Sequence, residues 1–164
     1  EQAGPEAKYI LWTYHFRALA TYVDNDYLRP FSRRPLAAEA FGEYLDQEPY
    51  VIGFRFGDGW LTAYDSLEET RTLQEWLLPA PPPDSFEWIA RRSGELVFLL
   101  PLDDVRRDDP ASSWLEQPLL TRQIIGAYDA KQPEEHYALV RFSRAFDAIV
   151  YIDRATPVQH RWGR

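Results

Sequence analysis

Residues 121–159 have the sequence TRQIIGAYDAKQPEEHYALVRFSRAFDAIVYIDRATPVQ, and this stretch indicates the fold class of the chain. Two apolar runs rich in β-branched residues, 123–127 and 148–153, flank a polar connection and a short RAFDA step. Each run is short and bounded by turn residues, which is typical of a strand buried in an α/β sheet. The stretch therefore predicts two buried strands of one sheet.

Further strands and helices are predicted upstream. Apolar, β-prone runs predict strands at residues 8–14, 72–78 and 95–100, the last as a buried central strand. Helical patterns predict helices at residues 36–46 and 85–91, the second capped by Asp84.

Gly57-Asp58-Gly59 lies between two apolar, aromatic runs, 50–56 and 60–64. Because glycine next to aspartate supplies the positive φ angles of tight turns, this pattern predicts a β-hairpin. A hairpin is antiparallel, whereas strands alternating with helices favour parallel pairing. The chain is thus predicted to be an α/β protein with a mixed β-sheet and short flanking helices. Residues 1–7 are expected to form a flexible arm before a single domain over residues 8–160.

Composition excludes several classes of function. The chain has 164 residues, a net charge of −8 and a pI near 4.9. Phosphate binding needs a basic surface, so nucleic acid is not expected as a partner. No run approaches the roughly 18 apolar residues that span a bilayer, so we expect a soluble chain that does not cross a membrane. The polar start EQAGP suits an exported protein after signal-peptide removal, but the compartment is left open.

The chemical motifs of common enzymes are missing from the sequence. There is no cysteine, which excludes disulfides, thiolate metal sites and cysteine nucleophiles. There is also no G-x-S-x-G elbow, no H-E-x-x-H spacing and no phosphate-binding glycine loop. The sequence therefore predicts neither a metal site nor a cofactor.

His15 is the candidate catalytic residue, because it follows the predicted first strand, where catalytic groups of α/β sheets often lie. A general base needs an orienting carboxylate, which Asp24, Asp26 or Glu39 would supply only if the fold brings one close. The alternative is a histidine that bonds to the backbone at a strand end.

His136 follows Glu134 and Glu135 in the polar connection. Two carboxylates would raise its pKa if they lie near it in space. We interpret His136 as a histidine of a surface loop.

Aromatic residues concentrate in the predicted first strand and hairpin. Strand alternation places about half of them in the core and leaves the others on the opposite face. A face rich in Tyr and Trp is either covered or binds a partner. The residues predicted to contact a ligand or partner are Trp12, Tyr14, Arg17 and Trp60.

The order of motifs resembles the C-terminal half of the erythromycin esterase-like family. The resemblance rests on KYILWTY (8–14), LAAEAFGEYLDQ (36–47), VIGFRFGDGWLTAYD (51–65), LLPAPPPDSFEWIARR (77–92), ELVFLLPL (95–102), SSWLEQPLLTRQIIGAYD (112–129) and EEHYALVRFSRAFDAIVYIDRATPV (134–158). It implies half of an α/β fold whose members hydrolyse an ester or lactone with water activated by histidine.

The resemblance also implies a changed active-site motif. Where the family has a W-A-H-N-x-H-like motif, this chain has residues 12–17, WTYHFR. Aligned without a gap, Tyr14 and Arg17 stand where the family has histidines, and His15 stands where it has asparagine. The family's N-terminal half, which supplies further catalytic groups, has no counterpart here.

Three functional hypotheses follow. The first is a non-catalytic domain that acts as a protein-binding or assembly subunit, with a protein partner over the sheet face or the aromatic surface. The second is a hydrolase fragment or split enzyme with His15 as general base. The third is a small-ligand binding protein that uses Trp12, His15 and Trp60. The sequence leaves open whether the protein is an enzyme.

Overall fold

The computed structural model describes residue 10 and residues 49–66, 69–102, 113–124 and 126–157. The strand and helix predicted at 8–14 and 36–46 lie outside these residues. The described elements, in chain order, are β1 (Ile52–Tyr64), β2 (Leu73–Leu78), α1 (Phe86–Arg91), β3 (Val97–Pro101), a 3-10 helix (Ser113–Glu116), β4 (Leu119–Arg122), a second 3-10 helix (Pro133–His136), β5 (Tyr137–Val140), α2 (Phe142–Ala145) and β6 (Ala148–Ala155).

The main sheet has four strands in the order β2-β1-β6-β3. β1 and β6 are parallel, while β1 with β2 and β3 with β6 are antiparallel. β4 and β5 form a separate antiparallel pair. The predicted class, an α/β domain with a mixed sheet and short helices, is confirmed. The run predicted at 72–78 is β2, and the run at 148–153 forms β6, the strand between β1 and β3.

The predicted hairpin at Gly57-Asp58-Gly59 is wrong, because β1 runs through these residues as one strand of 13 residues. Gly57 and Gly59 do not form a turn; they allow β1 to lie close to β6. A Cβ atom at Gly57 would stand 2.7 Å from the Tyr151 hydroxyl and would meet the Asp153 carbonyl. A Cβ atom at Gly59 (φ 112°) would collide with the main chain of Ala155. The mixed character of the sheet therefore comes from the parallel β1–β6 pair beside the antiparallel strands.

The strand predicted at 123–127 is displaced in the structure. β4 ends at Arg122, and Ala127 forms only an isolated parallel bridge to Tyr64. Gly126 has a φ of 81°, which breaks the extended conformation, and its carbonyl accepts from the Tyr64 N–H at 2.9 Å. Residues 126–128 therefore pair only with Tyr64, the last residue of β1, and do not form a strand of the main sheet.

The strand predicted at 95–100 exists as β3, but among the described strands it lies at the edge of the sheet and not in its centre. The side chains of Val97 and Leu99 are 61% and 59% exposed. A continuous apolar run does not distinguish a central strand from an edge strand whose apolar face is open.

The predicted cap of α1 is wrong by one residue. Ser85 is the N-cap, and its Oγ accepts from the Trp88 N–H at 3.3 Å. Asp84 precedes it with a φ of 64°, a left-handed conformation that aspartate tolerates better than most residues. Glu87, in the first turn of α1, turns inward and has no exposed surface.

The main core lies between the sheet and the elements α1 and α2. Phe86 of α1 stacks on Phe142 of α2 with ring centroids 4.2 Å apart, and both contact a cluster that includes Ile149 and Tyr151 of β6. Full burial of each such side chain contributes about 1.5–3 kcal/mol. This packing covers one face of the main sheet.

Candidate functional site

The opposite face of the main sheet is apolar, and its side chains are exposed or half-buried. Residues that pair across neighbouring strands share a face, so the register defines two rows across β1, β6 and β3. The rows are Phe56–Ile152–Val97 and Phe54–Val150–Leu99. Together with Ile52 on β1 and the pair Trp60–Leu77 across β1 and β2, they form what we call the apolar face.

Side-chain exposure supports the assignment of these residues to one face, because exposed and buried residues alternate along β1. In β1, Ile52, Phe56 and Trp60 are 45%, 38% and 46% exposed, whereas Gly53 and Arg55 between them are buried. Leu77 of β2 is 59% exposed. Large contiguous apolar patches are uncommon on monomeric proteins and mark sites of interaction.

A cavity of about 440 Å³ opens beside the apolar face. Phe54, Phe56 and Trp60 contribute to its wall from β1, and Ile152 contributes from β6. Leu78 and three polar residues, Arg55, Glu87 and Arg122, also line the cavity.

Arg55 and Glu87 are two buried charges that lie close enough to interact. Arg55 is 2% exposed, and its guanidinium lies over the rings of Phe142 and Phe146, 5.3 and 5.0 Å from their centroids. Burial lowers the pKa of Arg55 to about 10, although the charge of Glu87 opposes this change. The Nε and Nη2 atoms of Arg55 have no hydrogen-bond partner.

Glu87 is held by groups of β4. Its Oε1 accepts from Thr121 Oγ1 and from the Arg122 N–H, the latter at 3.2 Å. Burial raises the pKa of Glu87, while Arg55 and these hydrogen bonds favour the ionised form. Glu87 Oε2 has no hydrogen-bond partner. The charges of Arg55 and Glu87 thus couple β1 to α1, and the hydrogen bonds of Glu87 couple α1 to β4.

Arg122 joins the main sheet to β4. Its Nη1 donates to the Gly57 carbonyl at 2.7 Å, and its Nη2 donates to the Pro79 carbonyl at 2.8 Å. Both acceptors are main-chain atoms at the point where β2 leaves β1. Arg122 therefore fixes the polar wall of the cavity.

An ion-pair network connects α1 to the middle of β1 and to the C-terminal part of β6. Arg91 Nη1 lies 2.7 Å from Asp58 Oδ2, and Arg91 Nε lies 3.2 Å from Asp153 Oδ1. Arg154 Nε lies 3.5 Å from Asp58 Oδ1. These partly exposed arginines and aspartates form ion pairs with one another, so we assign them a structural role.

His136 is buried, which corrects its interpretation as a surface-loop residue. It is 3% exposed, its Nε2 accepts from the Asp129 N–H at 2.9 Å, and its ring lies 4.8 Å from that of Tyr128. Burial lowers the pKa of His136, and this outweighs the opposite influence of Asp129 and Glu134. The neutral imidazole is a structural acceptor.

Of the predicted site residues, only Trp60 falls in the part of the chain that the structure describes, and it lies on the apolar face. His15, Trp12, Tyr14 and Arg17 lie outside the described residues, so their roles stay predictions. Within the described ranges, no cluster of three His, Asp or Glu side chains has a geometry that could hold a metal ion. No helix in the same ranges is long and apolar enough to cross a membrane.

Sequence reasoning missed Arg55 and Glu87. A signal for Arg55 existed, because alternation places it opposite Phe54 and Phe56, on the face that the helices cover. Glu87 gave no such signal, since an acidic residue in the first turn of a helix is ordinarily explained by the helix dipole.

Comparison with known proteins places the fold in a family. The family model of erythromycin esterase matches residues 36–155, well over half of the chain. The chain belongs to the erythromycin esterase family.

Two solved structures share the fold. One is a protein from Bacillus cereus, with a TM-score of 0.65 and 17% sequence identity over 85% of this chain. The other is a succinoglycan biosynthesis protein, with a TM-score of 0.63 and 20% identity over 85% of this chain. The matched part is 32% and 31% of those two chains, so this chain spans about a third of their length. A search of curated proteins finds no match.

Proposed function

We propose that this chain is a non-catalytic erythromycin esterase-like domain that acts as a protein-binding or assembly subunit, with the apolar face as its docking surface. The observation that carries the proposal is the pair of apolar rows, Phe56–Ile152–Val97 and Phe54–Val150–Leu99, on a sheet face that retains large exposed side chains. Covering such a surface removes apolar area from water, at about 25 cal/mol per Å².

The occupant we propose is a polypeptide that takes the position of the remaining part of the family fold. In the two similar structures about two thirds of each chain lies beyond the matched part, and α/β sheets are normally covered on both faces. In the described residues, α1 and α2 cover only the face that carries Arg55 and Tyr151. A second layer on the apolar face would complete the same architecture.

The lack of catalysis is proposed from the changed motif at residues 12–17. If Tyr14 and Arg17 replace two histidines of the family, the general base loses its partners. Positioning of reacting groups supplies much of an enzyme's rate, so a lone His15 would retain little activity.

The test is photo-crosslinking from the apolar face in cells that encode the chain. A photoreactive residue replaces Trp60 or Phe56 in the tagged protein, and Leu139 on β5, which is 55% exposed, serves as a matched control. We expect one protein to crosslink from Trp60 and Phe56 but not from Leu139. That protein, once purified, should bind the chain in fixed stoichiometry, and Trp60→Lys should weaken binding at least tenfold.

Two results would refute the proposal. One is a purified chain that shows no exposed apolar surface by dye binding and no crosslink from either face position. The other is a bound partner whose affinity does not change with Trp60→Lys.

Membership of the erythromycin esterase family favours a second candidate, hydrolysis of an ester or lactone by a fragment or split enzyme with His15 as general base. Wild type and His15→Ala are compared on ester and lactone substrates, alone and with any crosslinked partner. A rate above background that His15→Ala abolishes would establish the hydrolase and contradict the non-catalytic proposal. Equal background rates would eliminate the hydrolase.

A further inference from the structure

Among the described strands, β3 lies at an edge of the main sheet, and no described strand bonds to its outer main-chain groups. In the register of β3 and β6, the Leu102 N–H donates to the Asp147 carbonyl and the Asp153 N–H donates to the Leu96 carbonyl, both at 2.8 Å. Residues of an antiparallel strand bond alternately to one side and the other. The main-chain groups of Val97 and Leu99 therefore point away from β6, toward the side where no described strand lies.

The chemistry of this edge is unusual for a protein surface. Leu96, Val97 and Leu99 are 72%, 61% and 59% exposed, and no ionisable residue occurs from Leu96 to Leu102. Edge strands are ordinarily protected by charges, prolines or bulges, and here only Pro101, the last residue of β3, offers such protection. The other edge of the sheet, β2, carries Glu75.

We infer that β3 pairs with β3 of a second copy of this chain, antiparallel and about a twofold axis at Phe98. In this register, Val97 lies opposite Leu99 of the partner subunit, and Leu99 lies opposite Val97 of the partner subunit. Each of these two pairs exchanges two main-chain hydrogen bonds. The two copies of β3 thus form four main-chain hydrogen bonds with each other. The same residues take part in both copies, as a twofold interface requires.

The residues at the two ends of β3 cannot extend the hydrogen bonding beyond these two pairs. The Glu95 N–H is already used, because it donates to Ser93 Oγ at 3.2 Å, and Pro101 has no N–H. The ladder therefore begins at Val97 and ends at Leu99.

Charge is compatible with a second copy, although each copy carries a net charge of −8. The register places Glu95 opposite Pro101 of the partner subunit, so this acidic residue does not face its own equivalent. Val97 and Leu99 of the two copies become neighbours on one side of a continuous sheet of eight strands. Apolar side chains paired across strands add to the stability of such an interface.

Val97 and Leu99 belong both to the β3 edge and to the apolar face, whereas Trp60 lies on β1, two strands away from β3. Trp60 therefore separates the test of the proposed function from the test of the dimer. A dimer through β3 would carry two copies of the apolar face. Trp60→Lys should weaken binding of the partner and leave dimerisation unchanged, so loss of both together would show that the two proposals are not independent.

The experiment is sedimentation velocity of the purified chain over a range of concentrations. Wild type is expected to show a monomer–dimer equilibrium. Leu99→Pro removes an outward N–H from each copy but no hydrogen bond to β6, so it should raise the dimer dissociation constant at least tenfold. Val97→Lys places two cations in the interface and should also raise the dimer dissociation constant. It serves as a second variant in case proline perturbs the strand. Leu139→Lys, on another exposed strand, should have no effect.

A second measurement tests the register. Because the chain has no cysteine, Phe98→Cys introduces a single thiol that faces its equivalent across the twofold axis, at a separation suited to a disulfide. Oxidation should yield a covalent dimer from Phe98→Cys and none from Leu139→Cys. A chain that stays monomeric at all concentrations, or a dimer that tolerates both Leu99→Pro and Val97→Lys, would overturn the inference.

Discussion

Gly53 lies directly against the ring of Phe146: a Cβ atom on Gly53 would stand 2.7 Å from two of its ring carbons. Phe146 is 1% exposed and packs against Phe142, so its ring has little room to move. The contact couples β1 to the residue that follows α2. It also shows why β1 contains glycine on the face that the helices cover.

Gly53→Ala is therefore expected to destabilise the fold by about 1–3 kcal/mol, the usual cost of overpacking a core. Gly94→Ala is the control, because Gly94 has a φ of 79° but no atom within 4 Å of the position that an added methyl group would take. Its cost should be about 1 kcal/mol, from backbone strain alone. Urea unfolding measures the loss of unfolding free energy for both variants. Equal losses would show that the Phe146 ring moves to accommodate the added methyl group.

The Ser85 cap gives a second prediction. Ser85→Ala removes the acceptor of the Trp88 N–H and should lower the free energy of unfolding by about 1 kcal/mol. Asp84→Gly should change it by less than about 0.5 kcal/mol, since glycine adopts the φ of 64° without strain. The reverse order in thermal or urea unfolding would assign the cap to Asp84.

The third prediction concerns the buried Arg55–Glu87 pair. Arg55→Met leaves Glu87 without its cation, and Glu87→Gln leaves Arg55 without its anion, so each should cost about 3 kcal/mol. The double variant removes both charges and should cost at least about 1 kcal/mol less than the sum. Urea unfolding of the four proteins gives the coupling energy, and strict additivity would show that the two charges do not interact.

His136 gives a prediction about pH. Because burial lowers its pKa in the folded state, the unfolded chain binds the proton more readily. The free energy of unfolding should therefore be highest above pH 6.5 and should fall as pH drops through 6.5 toward the lowered pKa. Protonation also removes the acceptor of the Asp129 N–H.

His136→Gln tests this assignment, since an amide can accept the same hydrogen bond without titrating. Unfolding measured at several pH values on both sides of the ordinary histidine pKa should show a shallower slope for His136→Gln than for wild type. Parallel slopes would assign the pH dependence to another group.

The sequence predicted those features that depend on local pattern. The short apolar, β-prone runs at 148–153 and 72–78 were sufficient to find β6 and β2, and the order of motifs identified the family. Trp60 lies on the apolar face, as alternation of aromatic residues along a strand implies, while its contact with a partner stays a prediction.

The features that the sequence did not predict depend on neighbours distant in the chain. Gly57 and Gly59 indicate a turn unless one knows that β6 passes beside them. The position of β3 at an edge depends on which strands lie on either side of it, and a continuous apolar run carries no such information. The role of Glu87 depends on Arg55 and Thr121, more than thirty residues away on either side.

The parallel pairing of β1 with β6 has a consequence for how the protein folds. Ile52 pairs with Ala148, 96 positions later, so the central pair of the sheet closes only after a long loop of chain has been ordered. Closing such distant contacts costs chain entropy before any packing offsets it, which slows folding. During synthesis, Phe54 and Phe56 leave the ribosome well before β6 exists, and each of roughly a hundred further residues takes about 0.05–0.2 s to add. β1 is therefore an aggregation-prone segment of the nascent chain, and chaperone binding is expected to concentrate there.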